Sequence, residues 1–169
     1  MLALYLTIWL SLVLFVAGEA GRSSSRRHSA APAWAWWSFA LGLGLSLVHT
    51  ILAFDLVHHW VHDGAVLATA QQTQAMFGVR VGWGVYVNYA FFVVWLADVC
   101  WWRLSPDLSR RPPAVTWTLR AFYMLIIFNG AVVFAAGARR VLGLLLVLSL
   151  AGMWSRSIRA QPLPSHFPH

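Results

Sequence analysis

The feature that most constrains this chain is a succession of long apolar runs separated by short polar segments that hold most of its arginines. Over 169 residues the chain is 60% apolar and only 10% charged, whereas soluble domains average about 45–50% apolar and about 25% charged residues. A transmembrane helix needs roughly 20 residues to cross about 30 Å of hydrocarbon. Length and composition therefore predict an all-α polytopic transmembrane bundle that forms one domain, residues 1–169.

The apolar runs predict five spans and one interfacial segment. Span 1 is interpreted as a retained helix, because arginines follow it and none precedes it, the reverse of a secretory signal peptide; the alternative is cleavage near Gly18 and Ala20. A glutamine-rich run of good helix formers after span 2 predicts a helix that lies at the interface. The last run is short for a crossing and predicts either a tilted span or a re-entrant segment. The predicted spans are 1–17, 34–61, 81–102, 114–136 and 141–154, and the interfacial segment is 65–77.

The arginines predict the orientation of the bundle. All 12 basic residues are arginines, and an N-terminus outside the cell places most of those in the loops on the cytoplasmic side. This agrees with the positive-inside rule and predicts an inner (plasma) membrane protein with a cytoplasmic C-terminus. No loop is long enough to form an exposed basic face, so nucleic-acid binding is not expected. The cytoplasmic set is Arg22, Arg26, Arg27, Arg103, Arg110, Arg111, Arg156 and Arg159, and the outer set is Arg80, Arg139 and Arg140.

Four ionisable side chains near the end of span 2 form the strongest candidate site: Asp55, His58, His59 and His62. On a continuous helix they fall within an arc of about 100°. His58 and His62 have the spacing at which two imidazoles hold one metal ion, and Asp55 can ligate the ion or orient a ring. This donor set favours zinc, copper or iron. The alternatives are interfacial or helix-packing histidines without any cofactor, and a proton relay.

The helical rise places further polar residues at shared depths. His49, Asn88 and Asn129 fall within about 6 Å of the predicted midplane, which predicts either an interhelical hydrogen-bond layer or part of a transport path. Tyr86 and Tyr89 fall near the depth of the histidines, where we expect them to contact the candidate site.

Two charged residues inside the spans predict an ion pair. Asp98 and Arg120 each lie roughly 9 Å toward the cytoplasmic side of their span centres. A lone charge in hydrocarbon is far costlier than a paired one, so we expect these two side chains to meet.

Three functions are open from the sequence, and so is the question of whether the chain is an enzyme. The first is a small membrane metalloprotein with its ligands near the outer face. The second is an accessory or structural subunit of a larger membrane complex, since the chain is small and aromatic-rich and has no soluble domain. The third is a proton relay or transporter that uses the polar layer, although no inverted repeat is detectable. The expected partners are the lipid bilayer and other membrane subunits.

Overall fold

A computed structural model describes residues 2–24, 31–107 and 111–159, and the regular structure within these ranges is helical throughout. Five of the helical segments are long and apolar enough to cross a membrane. This confirms the predicted all-α bundle with five spans. The helices are α1 Leu2–Ser24, α2 Ala33–Ala53, α3 His62–Phe77, α4 Gly84–Leu104, α5 Pro113–Phe128 and α6 Ala138–Arg159. Two π-turns, Phe54–His58 and Asn129–Val133, continue α2 and α5.

Successive spans run in opposite directions and so define two ends of the bundle. Helices α1, α4 and α6 finish at what we call the arginine-rich end, whereas α2 and α5 finish at the other end, where α3 packs against α4. We call the latter the α3 end. Described arginine side chains at the first end are Arg22, Arg103, Arg111, Arg120 and Arg156, and those at the second are Arg80, Arg139 and Arg140.

An aromatic core joins α1, α2, α4 and α5. The ring of Phe15 lies 5.1 Å from Trp95 and 5.2 Å from Tyr123, both edge to face, and Phe39 lies 5.5 Å from Trp95. All four rings are almost fully buried. Aromatic pairs of this geometry contribute about 0.5–1.5 kcal/mol each beyond the area that they bury. Such packing matters because lipid supplies no hydrophobic force between helices.

Helix α1 is longer than the sequence predicted. The predicted span ended at residue 17, because the following segment is polar, but the helix continues to Ser24. Glu19 and Arg22 lie one turn apart and form an ion pair with an N–O distance of 3.0 Å. Both turn into the bundle, where further charges neutralise them, so the helix keeps its regular form through polar sequence.

Helix α6 corresponds to the last apolar run, for which the sequence predicted either a tilted span or a re-entrant segment. It is a continuous helix of 22 residues, and its apolar part is long enough to cross a membrane. It is therefore long enough for a fifth span, and a re-entrant segment is not needed to describe it. The guanidinium of Arg140 donates to the carbonyls of Val132 and Ala135 at 3.1 and 2.9 Å, and so caps the end of the preceding π-turn.

Candidate functional site

The predicted histidine and aspartate group lies on a sharp bend. The α-helix ends at Ala53, a π-turn follows, and His59 and Trp60 adopt left-handed backbone conformations with φ of 49° and 60°. The chain then enters α3 at His62. A left-handed conformation is unfavourable for a residue with a side chain, by about 1–2 kcal/mol. The sequence prediction placed the four side chains on one arc of a continuous α-helix, in which successive residues are rotated by 100°. Beyond Ala53 the chain is no longer an α-helix, so this arc is absent.

Asp55 and His58 contact other residues of the same bend. Oδ1 of Asp55 accepts a hydrogen bond from the indole Nε1 of Trp60 at 3.2 Å. The ring of His58 packs edge to face against Phe54, with centroids 5.6 Å apart. The side chain of His59 is exposed, as is that of Asp55. Three of the four predicted residues thus lie near the surface of the α3 end.

The fourth predicted residue, His62, lies between two tyrosines of α4. Its Nε2 is 3.3 Å from the hydroxyl of Tyr86, and its Nδ1 is 3.2 Å from the hydroxyl of Tyr89. The ring also stacks on Tyr89, with an interplanar angle of 28°. In the neutral ring one nitrogen donates and the other accepts, so both phenols can be hydrogen-bonded at once. The structure therefore brings together three residues that the sequence placed at similar depth.

The imidazoles and the carboxylate do not converge in this conformation. Within residues 2–24, 31–107 and 111–159, no three His, Cys, Asp or Glu side chains lie where they could hold a metal ion. Asp55 and His58 contact residues of the bend, whereas His62 is turned toward the tyrosines of α4. A metal site at these residues stays a prediction, and it requires the bend to rearrange around the ion.

Two of the three midplane residues, His49 and Asn129, bond to backbone carbonyls, and no bond among the three is seen in the described residues. Nδ1 of His49 lies 2.9 Å from the carbonyl oxygen of Leu4 in α1. Nδ2 of Asn129 donates to the carbonyl of Leu125, one turn earlier in the same helix, at 2.7 Å. Asn88 is exposed on α4. In the described part of the chain only the His49 contact joins two helices, and the three residues form no continuous polar path.

A second polar group lies buried at the arginine-rich end, and we call it the charge cluster. It consists of Glu19, Arg22, Asp98, Arg111 and Arg120, whose side chains are at most 11% exposed.

Asp98 accepts three contacts within this cluster. Nη1 of Arg111 lies 2.7 Å from Oδ1, Nη1 of Arg22 lies 3.2 Å from Oδ2, and the hydroxyl of Tyr123 donates to Oδ2 at 3.0 Å. The carboxylate is thereby held from α1, from α5 and from Arg111, two residues before the start of α5. Its predicted partner Arg120 belongs to the same cluster, but a direct pair between the two stays a prediction.

Glu19 is the second acceptor of the cluster and is fully buried. Its Oε1 pairs with Arg22 at 3.0 Å, and its Oε2 lies 3.8 Å from Nε of Arg120. The indole of Trp154 donates to Oε2 at 2.9 Å. This carboxylate therefore connects α1 to α5 and α6.

Aromatic rings cover the guanidinium groups of the cluster. The Cζ atom of Arg22 lies 4.3 Å from the ring centroid of Trp102 and 4.7 Å from that of Phe39. The Cζ atom of Arg111 lies 4.7 Å from the ring centroid of Trp101. Cation–π contacts of this kind stabilise desolvated cations by about 2 kcal/mol. The aromatic rings thus contact the parts of the guanidinium groups that the carboxylates leave uncovered, where water would otherwise lie.

Asp98 and Arg120 were predicted from the sequence as buried charges, whereas the other three residues of the cluster were not. Glu19 and Arg22 were missed because span 1 was ended too early, and Arg111 because it lies in a loop. An acidic and a basic residue three positions apart, at the end of an apolar run, is the signal that could have found the first two.

Comparisons with protein families, with curated proteins and with solved structures found no match. Five apolar helices are compatible with a small multi-pass membrane protein, with one polar group on a bend and another buried in the bundle.

Proposed function

We propose that this small membrane protein binds a transition-metal ion at the α3 end, through His58, His59 and His62 together with Asp55. The observation that carries the proposal is the bend itself. Two consecutive residues with side chains, His59 and Trp60, are held at positive φ directly after a π-turn. Strained backbone of this kind is concentrated at ligand sites, and π-turns are frequent there.

The chemistry of the side chains supports an ion of this class. Neutral imidazoles and a carboxylate suit zinc, copper and iron. The exposure of Asp55 and His59 gives an ion a direct route to the site. Because the donors do not converge in the described conformation, binding is coupled to a rearrangement of the bend, as is common where a metal orders its own site.

The tyrosines give His62 a defined place in this proposal. A ligating imidazole normally uses its second ring nitrogen for a hydrogen bond that orients the ring. His62 already has a phenol at each nitrogen, 3.3 Å from Tyr86 and 3.2 Å from Tyr89. The ion would replace one of these phenols while the other kept the ring in position.

The test is the metal content and Zn²⁺ affinity of the purified full-length protein in detergent. We expect about one ion per chain, and its loss in the double variant His58→Ala, His62→Ala. His49→Ala is the matched control, because His49 lies on the same span but bonds to Leu4 of α1. Equal zinc binding by the double variant and the control would overturn the proposal, as would a wild-type protein that binds no ion.

A second function, that of a subunit in a larger membrane complex, is supported by an exposed glycine on the outer face of α2. Gly44 is exposed there, and a Cβ added to it would meet nothing within 4 Å. Small residues on a membrane helix let a neighbouring helix approach closely. Native mass spectrometry of protein extracted in mild detergent tests this function: we expect a bound partner that Gly44→Leu releases, and a wild-type protein that is always monomeric contradicts it.

A further inference from the structure

An open groove of about 610 Å³ lies between α1 and α6, next to the arginine-rich end. The groove is formed by small residues, since Ala20 of α1 and Gly152 of α6 leave space between the two helices. A Cβ added to Gly152 would meet nothing within 4 Å. The volume is in the range of pockets that hold small molecules, about 300–1,000 Å³.

The mouth of the groove is polar and basic. Arg156 lines it and is exposed, and the lining residues that the structure describes include no carboxylate. Ser23 also belongs to the lining, and its hydroxyl is buried beside the groove with no hydrogen-bond partner among the described residues. A buried hydroxyl normally has a partner. The groove therefore offers a cation and a free donor to a ligand that is both anionic and able to accept a hydrogen bond.

The net charge around the groove is also positive. The charge cluster contains three arginines and two carboxylates, and it begins one residue away from the groove lining, at Glu19. Arg103 lies at the same end of the bundle. The arginine-rich end therefore attracts anions, as expected of a surface that faces an anionic leaflet.

The groove extends from the charged mouth toward the middle of the bundle. Its wall continues from Arg156 along α6 through Met153 to Leu148. These end points are about 12 Å apart at the helical rise of 1.5 Å per residue. A free phosphate ion would use only the mouth, whereas a lipid would also place an acyl chain along the apolar wall.

We propose that this groove binds one anionic phospholipid. The phosphate of its headgroup accepts hydrogen bonds from Arg156 and Ser23, and one acyl chain lies against Met153 and Leu148. The site is independent of the proposed metal site, since it lies at the opposite end of the bundle. Its occupant is a lipid of the surrounding membrane rather than a soluble anion.

The experiment is native mass spectrometry of the full-length protein released from nanodiscs that contain equal amounts of phosphatidylglycerol and phosphatidylcholine. We expect one retained phosphatidylglycerol per chain. Arg156→Gln should lower its retention about fivefold, the factor that one basic residue near an anionic surface contributes. Arg103→Gln is the matched control, because Arg103 is exposed at the same end but does not line the groove.

Two further measurements keep the test decisive. Gly152→Leu fills the groove without touching a charge, and it should also abolish retention of the lipid. Inorganic phosphate added in excess should leave the lipid bound if the acyl chain contributes. The proposal is overturned by equal loss in Arg156→Gln and Arg103→Gln, by complete displacement with phosphate, or by a second copy of the chain in place of the lipid.

Discussion

The indole Nε1 of Trp154 donates a hydrogen bond of 2.9 Å to Oε2 of Glu19, and so joins the last helix of the bundle to the first. From Glu19 the contacts continue through Arg22 to Asp98 and then to Tyr123. This chain of polar contacts includes α1, α4, α5 and α6. Removing a neutral hydrogen-bond donor from this chain of contacts should lower the stability of the protein only modestly. Removing a carboxylate should lower it more, because buried cations are then left without a counterion.

Trp154→Phe should lower the free energy of unfolding by about 1–2 kcal/mol, because an aromatic ring stays in place and the interhelical hydrogen bond to Glu19 is lost. Titration with sodium dodecyl sulfate in mixed micelles, followed by circular dichroism, measures this change. Trp83→Phe is the control, since Trp83 is 64% exposed at the α3 end, and it should be nearly neutral. Equal effects of the two substitutions would show that the bond to Glu19 contributes nothing.

Asp98→Ala should destabilise the protein by about 3–5 kcal/mol, the usual effect of breaking a buried ion pair from one side. Arg22 and Arg111 would then face each other across the site without their shared carboxylate. The same titration measures the loss, with Asp63→Ala as the control, because Asp63 is exposed at the start of α3. A loss below about 1 kcal/mol in Asp98→Ala would mean that water reaches the cluster and screens it.

The sequence predicted the spans well, because apolar runs long enough to cross a bilayer permit few other structures. It failed where polar residues continue a helix. Glu19 and Arg22 resemble a loop in the sequence, and only the partners supplied by other helices, Asp98 among them, let them turn inward. Such pairing is a property of the tertiary structure, so no local pattern could define the whole cluster.

The candidate site at the α3 end was predicted only in part. The depth argument placed Tyr86 and Tyr89 near the histidines, and both contact His62 in the structure. The helical projection failed for His59, because it assumed an uninterrupted helix. No proline or glycine lies between Phe54 and His62 to indicate the break, so the bend could not be foreseen from turn residues.

His59→Gly should raise the free energy of unfolding by about 0.5–1 kcal/mol, since glycine adopts positive φ without strain. The same substitution should weaken Zn²⁺ binding, because it removes an imidazole from the proposed site. His59→Ala separates the two effects: it loses the ring but keeps the strained backbone, so it should weaken binding without raising stability. Thermal unfolding and zinc titration of both variants measure this. If neither variant binds zinc more weakly than wild type, His59 is not a ligand.

Two glycines of α2 provide the last prediction, since they differ only in what lies beside them. A Cβ added to Gly42 would lie 3.1 Å from the carbonyl oxygen of Ser11 and 3.2 Å from the ring of Trp95, whereas one added to Gly44 would meet nothing within 4 Å. Gly42→Ala should therefore separate α1 from α2 and destabilise the bundle by about 1–3 kcal/mol. Gly44→Ala should be neutral or slightly stabilising, because alanine favours the helix. Unfolding titrations compare the pair directly, and a Gly44→Ala variant as unstable as Gly42→Ala would show that close packing at Ser11 is not the cause.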